Sequence, residues 1–417
     1  MHQKNLWQET SKEKIAFGNL KKSITTDLVV VGGGFTGCST ALFAAKNGLS
    51  VTLIDQKIGY GGSGRNVGLV NAGLWMPPEK VESILGLDAG VKLNNALATA
   101  PDLVFSLIDD YEMNCSANRS GTLHCAHSQR GLKDIQLRFK QLSERGAELE
   151  LLDKQQTEQR IGSSKFFGSL FNKKAGIINP LDYCLGLAKA AKSNGVNIYE
   201  STLATNIQSI NNDWLVKTPQ GSIKAKMLLI ATNAYQKPIE GLNPSKYTSV
   251  QYFQVATKAL PLDQVRSVLP NGEGCWDTAS VMSSFRLDAD NRLIIGGIGN
   301  LGHSGSKIHT NWARRKVERL FPQLKNIAIE YSWHGRIAMT GDHIPKIIKL
   351  GNNAYSVFGY SGRGIGPGTY FGKAVSDCLV RGDESFLPVN PLDNYQEPLS
   401  SFKGGLIEFG ATVSHLL

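Results

Sequence analysis

Asp27-Leu28-Val29-Val30-Val31-Gly32-Gly33-Gly34-Phe35-Thr36-Gly37 is the stretch from which the fold is read. Apolar β-formers run directly into Gly-x-Gly-x-x-Gly, set by Gly32, Gly34 and Gly37. Cys38 to Asn47 then has helical spacing, with Ala41, Leu42 and Ala45 on one face and Gly48 as its stop. Ser50 to Asp55 reads as a second short strand ending in a carboxylate. Glycine triplets alone also mark plain structural turns. Strand, triplet, helix, strand and acid in this order make a βαβ half-unit that binds a dinucleotide: Gly32 permits the turn, Gly34 lets backbone approach a pyrophosphate, and Gly37 lets helix and strand pack. The pyrophosphate is expected on the helix N-terminal amides, where the dipole favours negative charge. Asp55 is expected to bond a ribose hydroxyl. The half-unit by itself does not separate NAD from FAD.

A chain of 417 residues has ample core, and 41% hydrophobic with 19% charged residues is the composition of a globular protein. Met1 to Lys22 is polar and lysine-bearing, so a cleaved signal is not expected. No apolar run reaches the length of a membrane span. Six cysteines stand apart, with no Cys-x-x-Cys and no tight Cys/His cluster, which predicts no metal site, no disulfide framework and a cytoplasmic setting. A net charge of +10 admits a nucleic-acid or acidic-membrane partner. The absence of a long Lys/Arg run interleaved with aromatics favours a spread-out basic surface, so a nucleic-acid partner is not expected.

Residues 1–26 read as a polar leader that packs loosely through Leu6 and Trp7. Gly59 to Gly68 holds five glycines in ten residues; it either links domains or brings backbone against a flat ligand, and its place directly after the half-unit favours the ligand. Val81 to Glu112 and Leu132 to Arg145 have helical spacing, and Gly121 to Ala126 reads as a strand carrying His124, an ordinary histidine on this reading. Asn179-Pro180 opens a helix to Asn194, a hairpin over Asp213 to Ala225 follows, and an apolar strand from Lys226 to Ile230 ends in the small residues Ala231 and Thr232, which suggest contact with the cofactor. Tyr247 to Glu330 alternates as strands around one helix, Thr310 to Leu320, which predicts a second, mainly antiparallel sheet. Ala354 to Phe358 is a strand, Gly359 to Gly368 another glycine-rich loop, and a helix runs to Leu379.

The glycine-rich segments and their order resemble the D-amino-acid oxidase/glycine oxidase superfamily of flavoproteins, in particular its gamma-glutamylputrescine oxidase-like subgroup. The segments are Val31 to Gly37, Gly62 to Gly68, Asp290 to Gly297, Trp333 to Thr340 and Gly359 to Gly364. The resemblance implies an α/β fold with a Rossmann-like FAD-binding domain (1–90, 146–240 and 335–417) and a mainly antiparallel α+β substrate domain (91–145 and 241–334). It implies FAD held by Gly32, Gly34, Phe35, Thr36, Gly37, Asp55 and Gln56 at the AMP half, and by Ser63, Gly64, Arg65, Asn66 and Gly68 along the flavin. Ala204 would meet adenine, Ala231 and Thr232 would also touch the cofactor, and Gly362, Arg363, Gly364 and Ile365 would lie near the pyrimidine carbonyls. Arg65-Asn66 replaces a histidine that attaches FAD in some relatives, and no cysteine lies between Gly359 and Phe371, so non-covalent FAD is expected.

The implied reaction oxidises the C–N bond of an amine or amino acid, with oxygen or a quinone as electron acceptor; no strong general base is needed if the amine binds neutral. A substrate carboxylate calls for a guanidinium fork, from Arg65, Arg286, Arg336 or Arg363. Arg286, Arg336 and Trp333 are the expected substrate-side residues, each also readable as an ion pair, a sheet-edge charge or core packing. Tyr252 reads as a possible aromatic wall or as core. Two other classes remain open: a tRNA-modifying flavoprotein and a non-catalytic flavin-binding protein.

Overall fold

Side-chain parity in the strand Ser23–Val31 sets the first layer. Leu28 and Val30 enter one apolar core while Val29 and Val31 enter another. A strand apolar on both faces has to be covered on both, as a central parallel strand is. The computed structural model, which describes residues 4–303 and 305–416, gives it that position. Gly221–Ile230 and Val51–Ile54 flank it in parallel, followed outward by Ala354–Phe358 on one side and Asn197–Tyr199 on the other. Lys346–Gly351 closes one edge antiparallel. Helices Phe35–Lys46, Pro180–Ser193 and Ile365–Arg381 cover one face. A hairpin of Asn206–Ile210 and Asp213–Thr218 carries Ile207, Trp214 and Val216 onto the other. Phe35–Lys46 and Ile365–Arg381 cross closely because Gly372 faces Ser39: a Cβ there would stand 2.7 Å from the serine Cβ.

The second sheet runs in the order Ile329–Met339, Thr248–Ala259, Arg292–Ile298, Ser283–Leu287, Gly274–Asp277, Thr122–Cys125, Ser169–Asn172, Leu149–Leu152. All neighbours are antiparallel except Gly274–Asp277 beside Thr122–Cys125. Phe253, Val255, Phe285 and Ile295 pack on Ala313, Val317 and Leu320 of helix Ser306–Leu320, so one face of this sheet is a dry core. Val250, Tyr252 and Gln254, one residue out of phase, face a cavity.

Several expectations differ from the structure. Residues 149–152 and 169–172, assigned to the first unit, extend the second sheet, pairing through Thr122–Cys125. Helices Leu87–Ala98 and Ala100–Asp110, assigned in large part to the second unit, bury Leu93, Leu97, Val104 and Leu107 in the first core. Gly221 to Ile230 is one continuous strand rather than a hairpin arm and a separate strand. The leader is not loose: helix Leu6–Thr10 buries Leu6 and Trp7 against Trp333 and Ile294. Residues 400–416, also assigned to the first unit, form a helix, Ser400–Leu416, that packs on Thr248–Ala259 and Ser306–Leu320 of the second.

Candidate active site

The carboxyl ends of the parallel strands and the open face of the second sheet enclose a cavity of about 820 Å³. Ligands of open α/β sheets bind at this end, where strand order reverses and helix N-termini point inward. Gly32 leaves the first strand at φ +112°, and a Cβ on it would lie 2.7 Å from the Ala231 carbonyl carbon. A Cβ on Gly34 would lie 2.9 Å from Ser63 Oγ, and one on Gly37 would run into the Gly32 carbonyl oxygen. The backbone cradle therefore requires glycine at each of these positions. The Asp55 carboxylate accepts from the Gly33 and Lys57 amides, which leaves it beside the cradle at the end of its strand. Glycine backbone at a helix N-terminus with one acid beside it is what a pyrophosphate and a ribose need. Gly32, Gly34, Phe35, Thr36, Asp55, Gln56, Ala231 and Thr232 all line the cavity.

The second glycine-rich loop forms one wall. Ser63 Oγ accepts from the Phe35 amide at 3.1 Å, tying the loop to the start of the first helix. Three indole and amide donors hold its back: Asn5 Nδ2 to the Gly64 carbonyl at 2.9 Å, Trp7 Nε1 to the Asn66 carbonyl at 2.9 Å and Trp333 Nε1 to the Arg65 carbonyl at 2.8 Å. Asn66 closes the loop on itself, donating to Gly62 and Ser63 carbonyls and accepting from the Gly68 amide. Ser63 and Asn66 line the cavity, whereas Gly64, Arg65 and Gly68 stand behind it. Arg65 lies over the Tyr60 ring and donates to the Tyr60 and His334 carbonyls.

The opposite wall holds the third loop. Gly362, Arg363, Gly364 and Ile365 all line the cavity where helix Ile365–Arg381 begins. Tyr360 Oη meets Thr36 Oγ1 at 2.7 Å, joining this loop to the first. The Arg363 guanidinium sits between Trp75 and Trp276, 4.7 and 5.1 Å from their ring centres, and donates to the Ala72 carbonyl at 2.7 Å. Loss of water pushes its pKa down to about 9, and the nearby charge of Arg138 adds to the effect. No carboxylate among the described residues pairs with it; of the acids lining this part of the cavity, Asp134 is taken by Arg138 and Asp277 by Lys316, each at 2.9 Å. His124 stacks on Trp276 at 4.9 Å and is held neutral, its pKa pushed well below 6.5 by burial and then by Arg138 and Arg363.

Tyr252 and Gln254 line the cavity with their side chains laid across cross-strand glycines. Gly335 pairs with Tyr252 and Gly296 with Gln254; a Cβ on either glycine would lie 2.5 Å from Tyr252 Oη or Gln254 Oε1. Tyr252 Oη, Gln254 Oε1, Trp276 Nε1 and Arg363 Nε have no hydrogen-bond partner among the described residues. Buried polar atoms without partners cost stability unless a ligand meets them.

Of the three residues expected on the substrate side, Arg336 lines the cavity; it is exposed and lies 4.7 Å over the Tyr235 ring. Trp333 and Arg286 do not line it. Trp333 holds the glycine loop from behind, edge-to-face with Trp7 at 5.8 Å, and Arg286 is buried over the same Trp7 ring at 5.0 Å. Ala204 is also absent from the wall; it is buried in the core on the far side of the first sheet. Sequence reasoning missed Trp75 and Trp276 and took His124 as ordinary. No local pattern marks these, since each is one residue on a separate element. Among the described residues, the expected absence of a metal site meets one group: His303, His309 and Glu408 bring ligand-type atoms within 4.8 Å of one another; none of them lines this cavity, and both histidines already bond Glu408.

Residues 27–378 match the DAO family, described as FAD dependent oxidoreductase. The chain is 30% identical over 401 residues to the gamma-glutamylputrescine oxidoreductase of Escherichia coli (strain K12), covering 95% of this chain and 93% of that protein. Glycine oxidase from Geobacillus kaustophilus superposes with a TM-score of 0.70 at 18% identity, over 88% of this chain and 99% of that one. An L-amino acid deaminase from Proteus myxofaciens, solved with anthranilate, gives 0.74 at 14% identity, over 92% and 95%. At such identities the two structures speak for the fold. The family match spans most of the sequence and includes all three glycine-rich loops, and the chain belongs to the DAO family of FAD-dependent oxidoreductases.

Proposed function

We propose that this enzyme oxidises the C–N bond of an amine or amino acid that carries a carboxylate, and that Arg363 receives that carboxylate. The observation that carries the reading is an enclosed guanidinium on the cavity wall, between two tryptophans, with no acid among the described residues to neutralise it. A carboxylate is the partner that a planar guanidinium fork fits best. Gly32 to Gly34, the amides opening helix Phe35–Lys46, Asp55, Ser63 and Asn66 would hold FAD without a covalent bond. Bound there, FAD supplies acceptance of a hydride from the carbon beside a neutral amine, after which the imine hydrolyses to a carbonyl.

The chain's own contribution is positioning and charge. Trp75, Trp276 and Tyr252 keep water from the substrate side, which strengthens each polar contact made inside. Arg363 and Arg336 are both cationic, and like charge disfavours an ammonium nearby, so the substrate amine is held neutral, the form that can release a hydride. His124, neutral already, adds no charge of its own. The likeness to a gamma-glutamylputrescine oxidoreductase supports an amine substrate with a carboxylate at a distance from the reacting nitrogen. Six free, buried cysteines support a cytoplasmic setting. Oxygen or a quinone completes the proposed cycle, and an oxygen electrode separates the two.

The test is anaerobic bleaching of the flavin by polyamines, their glutamyl conjugates, D-amino acids and N-methyl amino acids. A carboxylate-bearing amine should bleach it. Arg363→Leu should raise the KM for that substrate by about 10²-fold, the loss of one charge-assisted bidentate pair, while uncarboxylated amines are unaffected. Arg336→Ala serves as the comparison. If Arg336→Ala carries the whole loss and Arg363→Leu none, the carboxylate site is at the rim and the assignment to Arg363 fails.

A further inference from the structure

Leu399, Phe402, Leu406, Phe409, Val413 and Leu416 follow one another at alternating steps of three and four residues. All face solvent, from 41% exposed at Val413 to 73% at Leu399. Five of them lie on helix Ser400–Leu416 and Leu399 immediately precedes it. A helix that turned its apolar face outward only because it was loosely docked would have little on its other face. This one is clasped there. A Cβ on Gly404 would be 2.7 Å from the Ser249 carbonyl oxygen, and Ala411 and His415 are buried. His415 stacks on Trp312 at 4.1 Å, and its Nδ1 meets His309 Nδ1 at 2.8 Å. Glu408 Oε1 accepts from the Asn300 amide at 3.0 Å and bonds His303 and His309 at 3.2 and 3.1 Å. Glu408 and His415 therefore point inward and fix the rotation of the helix, and the apolar stripe is presented outward.

We infer that the stripe is the interface of a two-fold dimer, in which this helix pairs antiparallel with the same helix of a second copy. Alternating three- and four-residue steps are the seam of helix-on-helix packing, where apolar knobs repeat every three and a half residues. The residues flanking the seam include Gly405, Gly410 and Thr412, small enough for two helices to approach closely. The pattern is also self-complementary in size about a two-fold axis. With the axis between Leu406 and Phe409, Phe402 meets Val413 of the partner subunit, Phe409 meets Leu406 of the partner subunit, and no phenylalanine faces another. Two phenylalanines about two-thirds exposed and four aliphatic side chains offer on the order of 600 Å² per chain. The pair then buries roughly 1,200 Å², the lower bound of specific stable interfaces. A lipid surface fits less well. Interfacial helices pair an apolar face with a basic one, and the one lysine of this helix, Lys403, is already bonded to Glu397.

Sedimentation equilibrium of the FAD-loaded full chain should give twice the chain mass at micromolar concentration. Leu406→Glu with Phe409→Glu should weaken the association at least ~100-fold, as expected for charges placed at an interface centre, with flavin absorbance and melting temperature retained. Mixing a Leu406→Cys chain with a Phe409→Cys chain under mild oxidation should give a disulfide-linked pair; self-linking of Leu406→Cys in its place would overturn the antiparallel arrangement. A wild-type protein that is monomeric at about 100 μM, far above the range of specific interfaces, overturns the dimer. So does a double-glutamate variant that still dimerises. Co-sedimentation of the monomer with phosphatidylserine vesicles would identify lipid as the occupant.

Discussion

Arg363 and Arg286 show how enclosure alone does not make a functional charge. Neither arginine has an acid partner among the described residues, and burial lowers the pKa of each, to about 9 and about 10. Only Arg363 lines the cavity. Arg286→Met should therefore leave the KM for a carboxylate-bearing amine unchanged in steady-state kinetics, in contrast to Arg363→Leu. Glycine positions give equally local predictions. A Cβ on Gly37 would collide with the Gly32 carbonyl, so Gly37→Ala should force the first helix from its strand at a cost of ~1–3 kcal/mol and lower the ratio of flavin to protein absorbance after purification. Gly335→Ala would press on Tyr252 Oη at 2.5 Å instead. It should leave flavin content intact and raise KM, because it moves a cavity wall and not the cradle.

Two helices near opposite ends of the chain act as clamps on the elements they cover. Helix Leu6–Thr10, with Asn5 before it, closes the back of the Gly59 to Gly68 loop through Trp7 and Asn5. Trp7→Phe and Trp333→Phe each remove one N–H donor to that loop, a loss of about 1 kcal/mol each. Each should raise the FAD dissociation constant about fivefold by that figure, which flavin fluorescence on titrating the apoprotein would measure. At the other end, His415 is pushed down to about 3, by burial first and then by His309. An unfolded chain takes up a proton at this histidine below its ordinary value of 6.5, while the folded chain does not until about 3. Its share of stability is therefore complete above pH 6.5 and is lost progressively as pH falls from there towards about 3. The urea midpoint should be lower at about pH 5 than at pH 7.5, and His415→Gln should show a smaller difference between the two.

At the scale of the whole molecule, the site is made where two sheets meet, and the two were legible to different degrees. The first sheet's βαβ half-unit was readable because all its signals lie within one short stretch, from Asp27 to Asp55, and each depends only on backbone geometry. The two later glycine-rich loops were readable for the same reason. Substrate-side residues were not, because one face of the second sheet carries two kinds of surface. Tyr252, Gln254 and Ser284 occupy its open end, while Ala256, Ile294 and Arg286 continue the same face further along and Trp333 sits beside Gln254 at the border. Leu6 and Trp7 cover that second end and turn it into core. Period-two alternation assigns a residue to a face, but it does not say what lies on the face. The sequence by itself determined a dinucleotide cradle, a parallel sheet with an antiparallel companion and, through its glycine loops, a flavin. Which arginines line the cavity was decided only by tertiary structure, when residues far apart in the chain left one end of the sheet open and sealed the other.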